Sequence, residues 1–489
     1  MVVLFDTEST PLLKKHSTQL EYTNLVGIRH AQALLLFLGM AFGYFLRVNI
    51  SAAIVPMTQC DGNHSCYDWD SSTKSLILSS FFWGYVVSQM PSSLLAKRFG
   101  GKLVLGVATA ICSLTTIFVP LAAAKGDWIL VCVLRVIIGF TQGSVYPCVH
   151  TLLAQWVPRN ERGFLLTSVY SGAQFGTALL LAVSGSMFDS SMGWPSIFYI
   201  TGSVGILWSA AFLIFGADTP RDTKFISEAE QKYIEATTGS AHHQQDTPLP
   251  IPWKAMFTSS CFYGLIAAHC GFTWGFYTLL TEIPTYMTNI LHFNVKTNAL
   301  LSALPYFFMW ILCLIVSPIA DALINHNVLS VTVSRKIFNS IGQWVPMCCL
   351  IALGYMSEDE KVLAITLLTF GVGFNAASFC GYLVNHMDLS PNFAGTMMGI
   401  TNGLSNLLSV FAPLVVGAIV VDEESPEQWR IVFFITAAVY LVGNGLFLIF
   451  GKATVQPWNY ADTSSSTATL SNNIAQTSAV SELSLKSAS

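Results

Sequence analysis

The chain has 489 residues, 53% of them hydrophobic and only 10% charged, with a net charge of −4. An average soluble domain is about a quarter charged, so this composition excludes a soluble protein and points to a multi-pass membrane chain. The slight acidic excess, without a clustered basic surface, argues against nucleic acid as a partner.

In chain order, residues 1–31 read as a cytosolic N-terminal tail with no cleavable leader pattern. Within it, "ESTPLL" sets Glu8 ahead of Leu12 and Leu13 in the form of a sorting signal. That signal would recruit a clathrin adaptor and give a lysosomal or endosomal address, with the plasma membrane as the alternative. About twelve apolar runs follow, near 32–56, 74–96, 102–122, 128–154, 163–187, 195–216, 257–288, 297–321, 333–355, 361–386, 393–420 and 430–451. Each approaches or exceeds the roughly 20 residues that cross a hydrocarbon core. Their continuity, without alternating polarity, favours helices over a β-barrel.

The longest polar interruption, 217–254, divides the runs six and six. We therefore expect an N-terminal half over 32–216, a cytosolic linker over 217–256, a C-terminal half over 257–451 and a disordered cytosolic tail over 452–489. "WPSIFYITGSV" (194–204) and "WRIVFFITAAV" (429–439) align without a gap, and each opens the last run of its half. Lys and Arg also sort by side: sixteen on the linker side against five on the other, which makes both termini cytosolic. The expected fold is an all-α membrane protein of 12 transmembrane helices in two six-helix halves, the major facilitator layout. In that layout cargo binds near the midplane between the halves. The short basic loop "PSSLLAKRFGGK" (91–102) matches the gating loop of that layout but lacks its usual acid.

Charges inside the runs carry the functional signal, because a charge in hydrocarbon is costly. Arg47 and Arg135 each lie eight or nine residues inside their runs, roughly 12–14 Å deep at 1.5 Å per residue. Snorkelling to the surface is the plain alternative. Two arginines at matched depth with no adjacent acid point instead to a visiting anion. Arg135, Gly139, Gln142, Tyr146 and His150 fall on one helix face, and Pro147 is expected to loosen the helix between Tyr146 and His150. Tyr44 shares a face with Arg47. The second half contributes Tyr277, Tyr382 and Asn375 as aromatic and hydrogen-bonding groups. Glu282 reads as a luminal-end acid, a proton site or a gate partner; Asp321 and Asp388 read as gating or capping groups. His269 reads as a packed residue. The span-eleven set Gly395, Gly399, Asn402 and Asn406 reads as helix packing.

"RVNISAAIVPM" (47–57), "SSFFWGYVVSQMP" (79–91), "GSVYPCVHTLLAQWVPRNER" (143–162), "YSGAQFGTALL" (170–180), "WGFYTLLTEIPTYM" (274–287) and "NHMDLSPNFAGTMMGITN" (385–402) together resemble the anion/cation symporter family. That family includes sialin, the vesicular glutamate transporters and sodium–phosphate cotransporter-like proteins; the look is nearest to sialin. The resemblance implies secondary active transport of organic anions such as sialic acid or another acidic sugar, by alternating access. It implies coupling to H+ and no bound cofactor. Arg47, Arg135, Tyr146, Tyr44, Tyr277, Tyr382 and Asn375 would bind substrate. His150, Glu282 and position 142 would serve coupling. Two departures stand out. Gln142 replaces a family glutamate that carries a proton in sialin and the glutamate transporters, and Phe272 replaces a span-seven arginine of the glutamate transporters. A Na+-driven inorganic phosphate cotransporter is the alternative reading, since that branch also carries glutamine in span four.

Asn63 opens a glycosylation sequon in the first luminal loop, flanked by Cys60 and Cys66, which could pair there. No cysteine set has metal spacing, and no HExxH, nucleophile elbow or paired membrane aspartates mark an enzyme. The expected partners are a small anion, the lipid bilayer and the adaptor, with the chain a monomer.

Overall fold

The chain folds as a succession of helices from α1 (Ile28–Thr58) to α17 (Pro426–Phe450), with no strand among the described residues. The computed structural model describes residues 27–58, 67–69, 71–188, 190–238, 250–291, 295–356, 360–422 and 424–460. Glu8, Leu12, Leu13, Asn63, Cys60, Cys66 and the tail beyond 460 lie outside them.

The first group of helices is α1, α2 (Ser71–Phe99), α3 (Gly101–Ile117), α4 (Val119–Gln142), α5 (Val145–Trp156), α6 (Arg162–Phe188) and α7 (Pro195–Phe215). Two short helices follow, α8 (Glu228–Thr238) and α9 (Trp253–Phe257). The second group comprises α10 (Ser260–Asn289), α11 (Val295–Asn325), α12 (Val331–Leu353), α13 (Lys361–Phe374), α14 (Val384–Leu389), α15 (Ala394–Ser409), α16 (Phe411–Ile419) and α17. Packing respects this division. In the first group α1 lies on α6 and α7, α2 on α4, and α3 on α7. In the second, α10 lies on α15 and α17, and α12 and α11 lie on α13. The groups meet where α11 packs on α6 and where α15 packs on α2 and α5.

Among the described residues, seven helices can cross a membrane by length and apolar composition, or eight if the bent pair 101–117 and 119–156 counts as one span. That is fewer than the twelve expected. One reason is visible in α2, whose 29 residues have the length to cross. Its buried Ser80, Ser88, Gln89, Ser92 and Ser93 dilute its hydropathy. These polar groups face protein, so their cost to the helix is not a lipid cost.

The elements bend where the sequence requires it. Asp127, at φ 51, breaks α4 and makes the turn between the third and fourth expected spans. Its carboxylate accepts the Trp69 indole N–H at 2.6 Å, which ties Trp69 to this turn. The loosening expected between Tyr146 and His150 lies earlier, at Gly143–Ser144, where α4 gives way to α5. Pro147 has no N–H for the carbonyl four residues before it, so the ladder opens on its N-terminal side. Gly139 lets α4 approach α2 closely: a Cβ there would collide with the Phe81 carbonyl.

We call the end bearing α8 the linker end and the other the far end. At the linker end Gly100 turns at φ 88, a conformation glycine adopts without strain. Asp218 then accepts the Lys102 N–H at 2.8 Å and caps α3. Burial raises the Asp218 carboxyl above its ordinary value, against the pull of that bond. Glu230 of α8 caps α1 in the same way, accepting from the N–H groups of Ile28 (3.1 Å) and Arg29 (3.2 Å). A carboxylate is favourable at a helix N-terminus, so the linker is tied to the first group by charge as well as by chain.

Candidate functional site

The site is built between the two groups, from α1, α2, α4, α5 and α6 on one side and α10, α15 and the 375–389 segment on the other. Arg47 of α1 is buried, and its Nη2 donates to the Tyr277 hydroxyl of α10 at 2.5 Å. Rings surround the guanidinium: Tyr85 at 4.8 Å, Phe81 at 4.9 Å, Tyr44 at 5.4 Å, Phe82 at 5.5 Å and Tyr277 at 5.6 Å. Such faces offer a cation partial compensation for lost water. Arg135 of α4 is 5.0 Å from the same Phe81 ring. The two cations therefore flank one phenylalanine, at the common level their sequence depths imply. Arg135 is 3% exposed, and its Nε and Nη1 have no hydrogen-bond partner. Among the described residues no carboxylate pairs with either arginine. Buried donors and charges left this way are costly.

A cavity lies between the groups. Tyr44, Tyr85, Tyr146 and Gln174 line it from the first, with Phe272, Thr273, Phe276, Tyr277, Phe379, Tyr382, Asn402 and Asn406 among those from the second. A smaller space adjoins it, lined by Gly43, Arg47, Gln142 and Val145 together with Tyr44, Tyr85 and Tyr146. The last three tyrosines border both spaces, and the Tyr44 and Tyr146 hydroxyls bond each other at 2.9 Å. They form a partition with Arg47 on one side and the larger cavity on the other. Arg135 lines neither space; Phe81 stands in front of it.

The remaining sequence candidates are placed as follows. Gln142 donates through Nε2 to the Gly43 carbonyl at 2.9 Å and ties α4 to α1. Asn375 lines neither cavity; its Oδ1 accepts from Tyr440 at 3.1 Å and its Nδ2 donates to Gly371. The Glu282 side chain lies outside the described residues. His150 is fully buried beneath the cavity, between Tyr170 and the Leu383 carbonyl. His269 lines the larger cavity, as do Asn402 and Asn406, in addition to the packing expected of the span-eleven set. The sequence reading missed Tyr85, Gln174, Thr273, Phe276, Phe379 and His386. Tyr85 and Gln174 sit inside stretches that carried the family resemblance, but a neutral side chain in an apolar helix gives no sign of which way it faces.

At the linker end the groups are fastened together. Asp388 accepts from Arg162 Nη1 at 3.2 Å, across the boundary, and from Arg335 Nε at 2.7 Å. Asp321 of α11 caps α6, taking the N–H groups of Gly163 at 3.1 Å and Phe164 at 2.7 Å. The opposite fastening is different in kind. Where the gating loop lacks its acid, Lys97 of α2 lies 4.2 Å from the Phe393 ring at the start of α15. A cation near a helix N-terminus opposes the dipole, whereas a carboxylate there gains about 0.3–1 kcal/mol or somewhat more. Lys97→Asp is therefore expected to hold the linker end closed more tightly. Labelling of Cys380, buried beneath this end, by a maleimide should slow severalfold; faster labelling would contradict the assignment.

Comparison with known proteins follows the geometry. A sequence profile described as Major Facilitator Superfamily matches residues 36–413. The chain is 41% identical over 451 residues to a Drosophila ananassae protein described as "Putative inorganic phosphate cotransporter", covering 87% of this chain and 93% of that one. It is 34% identical to Homo sapiens sialin, over 93% of this chain and 96% of sialin. It is 33% identical to Bos taurus vesicular glutamate transporter 1, over 88% and 78%. Among solved structures, the proton:xylose symporter XylE superposes with a TM-score of 0.68 at 15% identity, covering 87% of this chain and 96% of that one.

Proposed function

Because the chain belongs to the Major Facilitator Superfamily, in the group that holds sialin, the vesicular glutamate transporters and the phosphate cotransporters, we propose that it is a secondary active transporter of organic anions, driven by protons and working by alternating access. The observation that carries this reading is the pair of buried arginines without carboxylate partners among the described residues, set beside a cavity between the halves. A carboxylate would displace the Tyr277 hydroxyl from Arg47 and, once the Phe81 ring turns aside, supply Arg135 with the acceptor it lacks. Tyr44 and Tyr146 would part to admit it and then donate to it.

The body of the cavity narrows the cargo. Phe272, Phe276 and Phe379 offer apolar faces, and Gln174 Oε1 and Asn406 Oδ1 are buried without hydrogen-bond partners. Hydroxyls can satisfy such amides in either orientation, so an acidic sugar suits the space. Phe272 supplies no third cation beside Arg47 and Arg135, which argues against glutamate as vesicular cargo. The excess of Lys and Arg makes the linker end and both termini cytosolic. The Glu8, Leu12, Leu13 signal places the protein in lysosomal or endosomal membranes.

A second reading, Na+-driven phosphate transport, is favoured by Gln142 and by the higher identity to the phosphate cotransporter relative. Thermal unfolding of the purified protein separates the two. Ligand at about 100 times its dissociation constant adds about 2.7 kcal/mol to the folded state, a readily measured rise in Tm. Glucuronate or sialic acid is expected to give that rise. A rise only with phosphate and sodium together would select the second reading, and no rise with any anion would contradict both.

A further inference from the structure

Three histidines that are far apart in sequence meet under the cavity. His150 comes from α5, His269 from α10 and His386 from α14, and they are at most 3% exposed. Ring centroids are 5.2 Å apart for His150 and His386 and 5.9 Å for His269 and His386. His150 Nε2 and His386 Nδ1 each lie 3.1 Å from the same carbonyl, that of Leu383. His386 Nε2 and His269 Nδ1 share the Thr401 hydroxyl at 2.8 and 3.0 Å. His150 Nδ1 meets the Tyr170 hydroxyl at 2.5 Å. Leu383 belongs to the second half and His150 to the first, so the chain of bonds crosses the boundary that alternating access must open.

The bonding is self-consistent when all three rings are neutral. Tyr170 donates to His150 Nδ1, and His150 Nε2–H and His386 Nδ1–H donate to Leu383. Thr401 donates to His386 Nε2, and His269 Nδ1–H donates to Thr401. It also has room for one more proton. If His150 Nδ1 takes a proton from water, Tyr170 accepts from the new N–H and turns its own hydrogen to the Tyr146 carbonyl, 3.3 Å away. If His386 Nε2 takes it, Thr401 turns to the Met398 carbonyl at 3.4 Å. Either way a hydroxyl rotates and every donor keeps an acceptor. Proton loss to water reverses the step.

We propose that His150 and His386 form the proton-binding site of the transport cycle, with His269, Thr401 and Tyr170 as its hydrogen-bond partners. This rests on the transport reading above and supplies the protonatable group that Gln142 cannot be. The surrounding charges fit an intermittent cation. The groups around His150 are the His386 and His269 rings and, on α6, Arg162. Asp388, two residues from His386, is held by Arg162 and Arg335. Tyr382 packs against His269 at 4.8 Å. When the halves part at this end, His150 leaves with one half and Leu383, His269 and His386 with the other. The site is therefore intact in one conformation and divided in the other, so its proton affinity differs between them, as coupling requires. Among the described residues no group of three or more His, Cys, Asp or Glu is arranged to hold a metal ion.

The test uses full-length protein in liposomes, as wild type, His150→Gln and His386→Gln, with two readouts. Exchange of labelled against unlabelled glucuronate at equal pH needs no net proton movement. Accumulation under a one-unit pH gradient does, and reaches about tenfold at one proton per anion. Both variants are expected to exchange but to lose accumulation. Accumulation unchanged in both variants would overturn the site, as would loss of exchange with normal thermal stability, because the histidines would then be binding cargo. Wild type that does not exchange would overturn the transport reading itself. If the glutamine variants do not fold, Tyr170→Phe serves: loss of an acceptor for the protonated ring should shift half-maximal uptake to lower pH, and an unshifted profile would count against the site.

Discussion

Replacing Arg135 by alanine is expected to cut anion uptake about a hundredfold, the loss of one charged hydrogen-bonding partner at about 1.5–3 kcal/mol, while leaving expression and melting temperature near wild type. The expectation follows from what Arg135 lacks. Its Nε and Nη1 are buried without partners, so removing the side chain takes away little native bonding. A structural arginine would behave in the opposite way, since loss of Arg162 or Arg335 leaves Asp388 short of a partner. Arg135→Lys should recover only part of the activity, because an ammonium keeps the charge but not the planar fork that grips a carboxylate. Uptake at the wild-type level in Arg135→Ala would remove this residue from the binding site.

The second large effect is expected at the linker end. Asp388→Asn leaves Arg162 and Arg335 buried with no carboxylate between them, and breaking such a buried arrangement costs about 3–5 kcal/mol. That cost falls on the closed linker end, where the three side chains meet. The conformational balance should move toward opening there by a factor of about a hundred or more. Cys380 is a native reporter: its carbonyl accepts from Arg335 at 3.1 Å, and its thiol lies 3.5 Å from Thr167 across the boundary. Its modification by a maleimide, followed by peptide mass, should accelerate accordingly. Labelling at the wild-type rate would show that this ion pair does not hold the gate.

The sequence reached the fold through bulk properties. Long apolar runs, a polar linker and an asymmetric distribution of Lys and Arg are large signals, and they imply a helical membrane protein in two halves. Arg47, Arg135 and His150 stand out in the sequence, because a charge or imidazole inside an apolar run is conspicuous wherever it points. The sequence did less well with groups whose role depends on orientation. Asn375 was expected to meet cargo, but the turn after α13 sends its amide to Tyr440. Phe276, Phe379 and Thr273 line the cavity, yet nothing in an apolar helix separates an inward phenylalanine from one that faces lipid. His386 sat inside a quoted motif; only the fold shows that it meets His150 and His269, residues 236 and 117 positions away in the chain. The position of the α4–α5 break shows the same limit on a smaller scale. Proline chemistry told that a break would occur, and the direction of the missing hydrogen bond decided on which side.

The central claim is that a cavity beside two arginines without carboxylate partners among the described residues moves an organic anion across the membrane with protons. Its most direct test is the initial rate of labelled glucuronate entry into liposomes carrying the purified chain, with an inward proton gradient imposed. The predicted result is saturable entry that the gradient accelerates, a protonophore slows, and Arg135→Ala abolishes. Entry no faster than into protein-free liposomes, for glucuronate and sialic acid alike, would contradict the account.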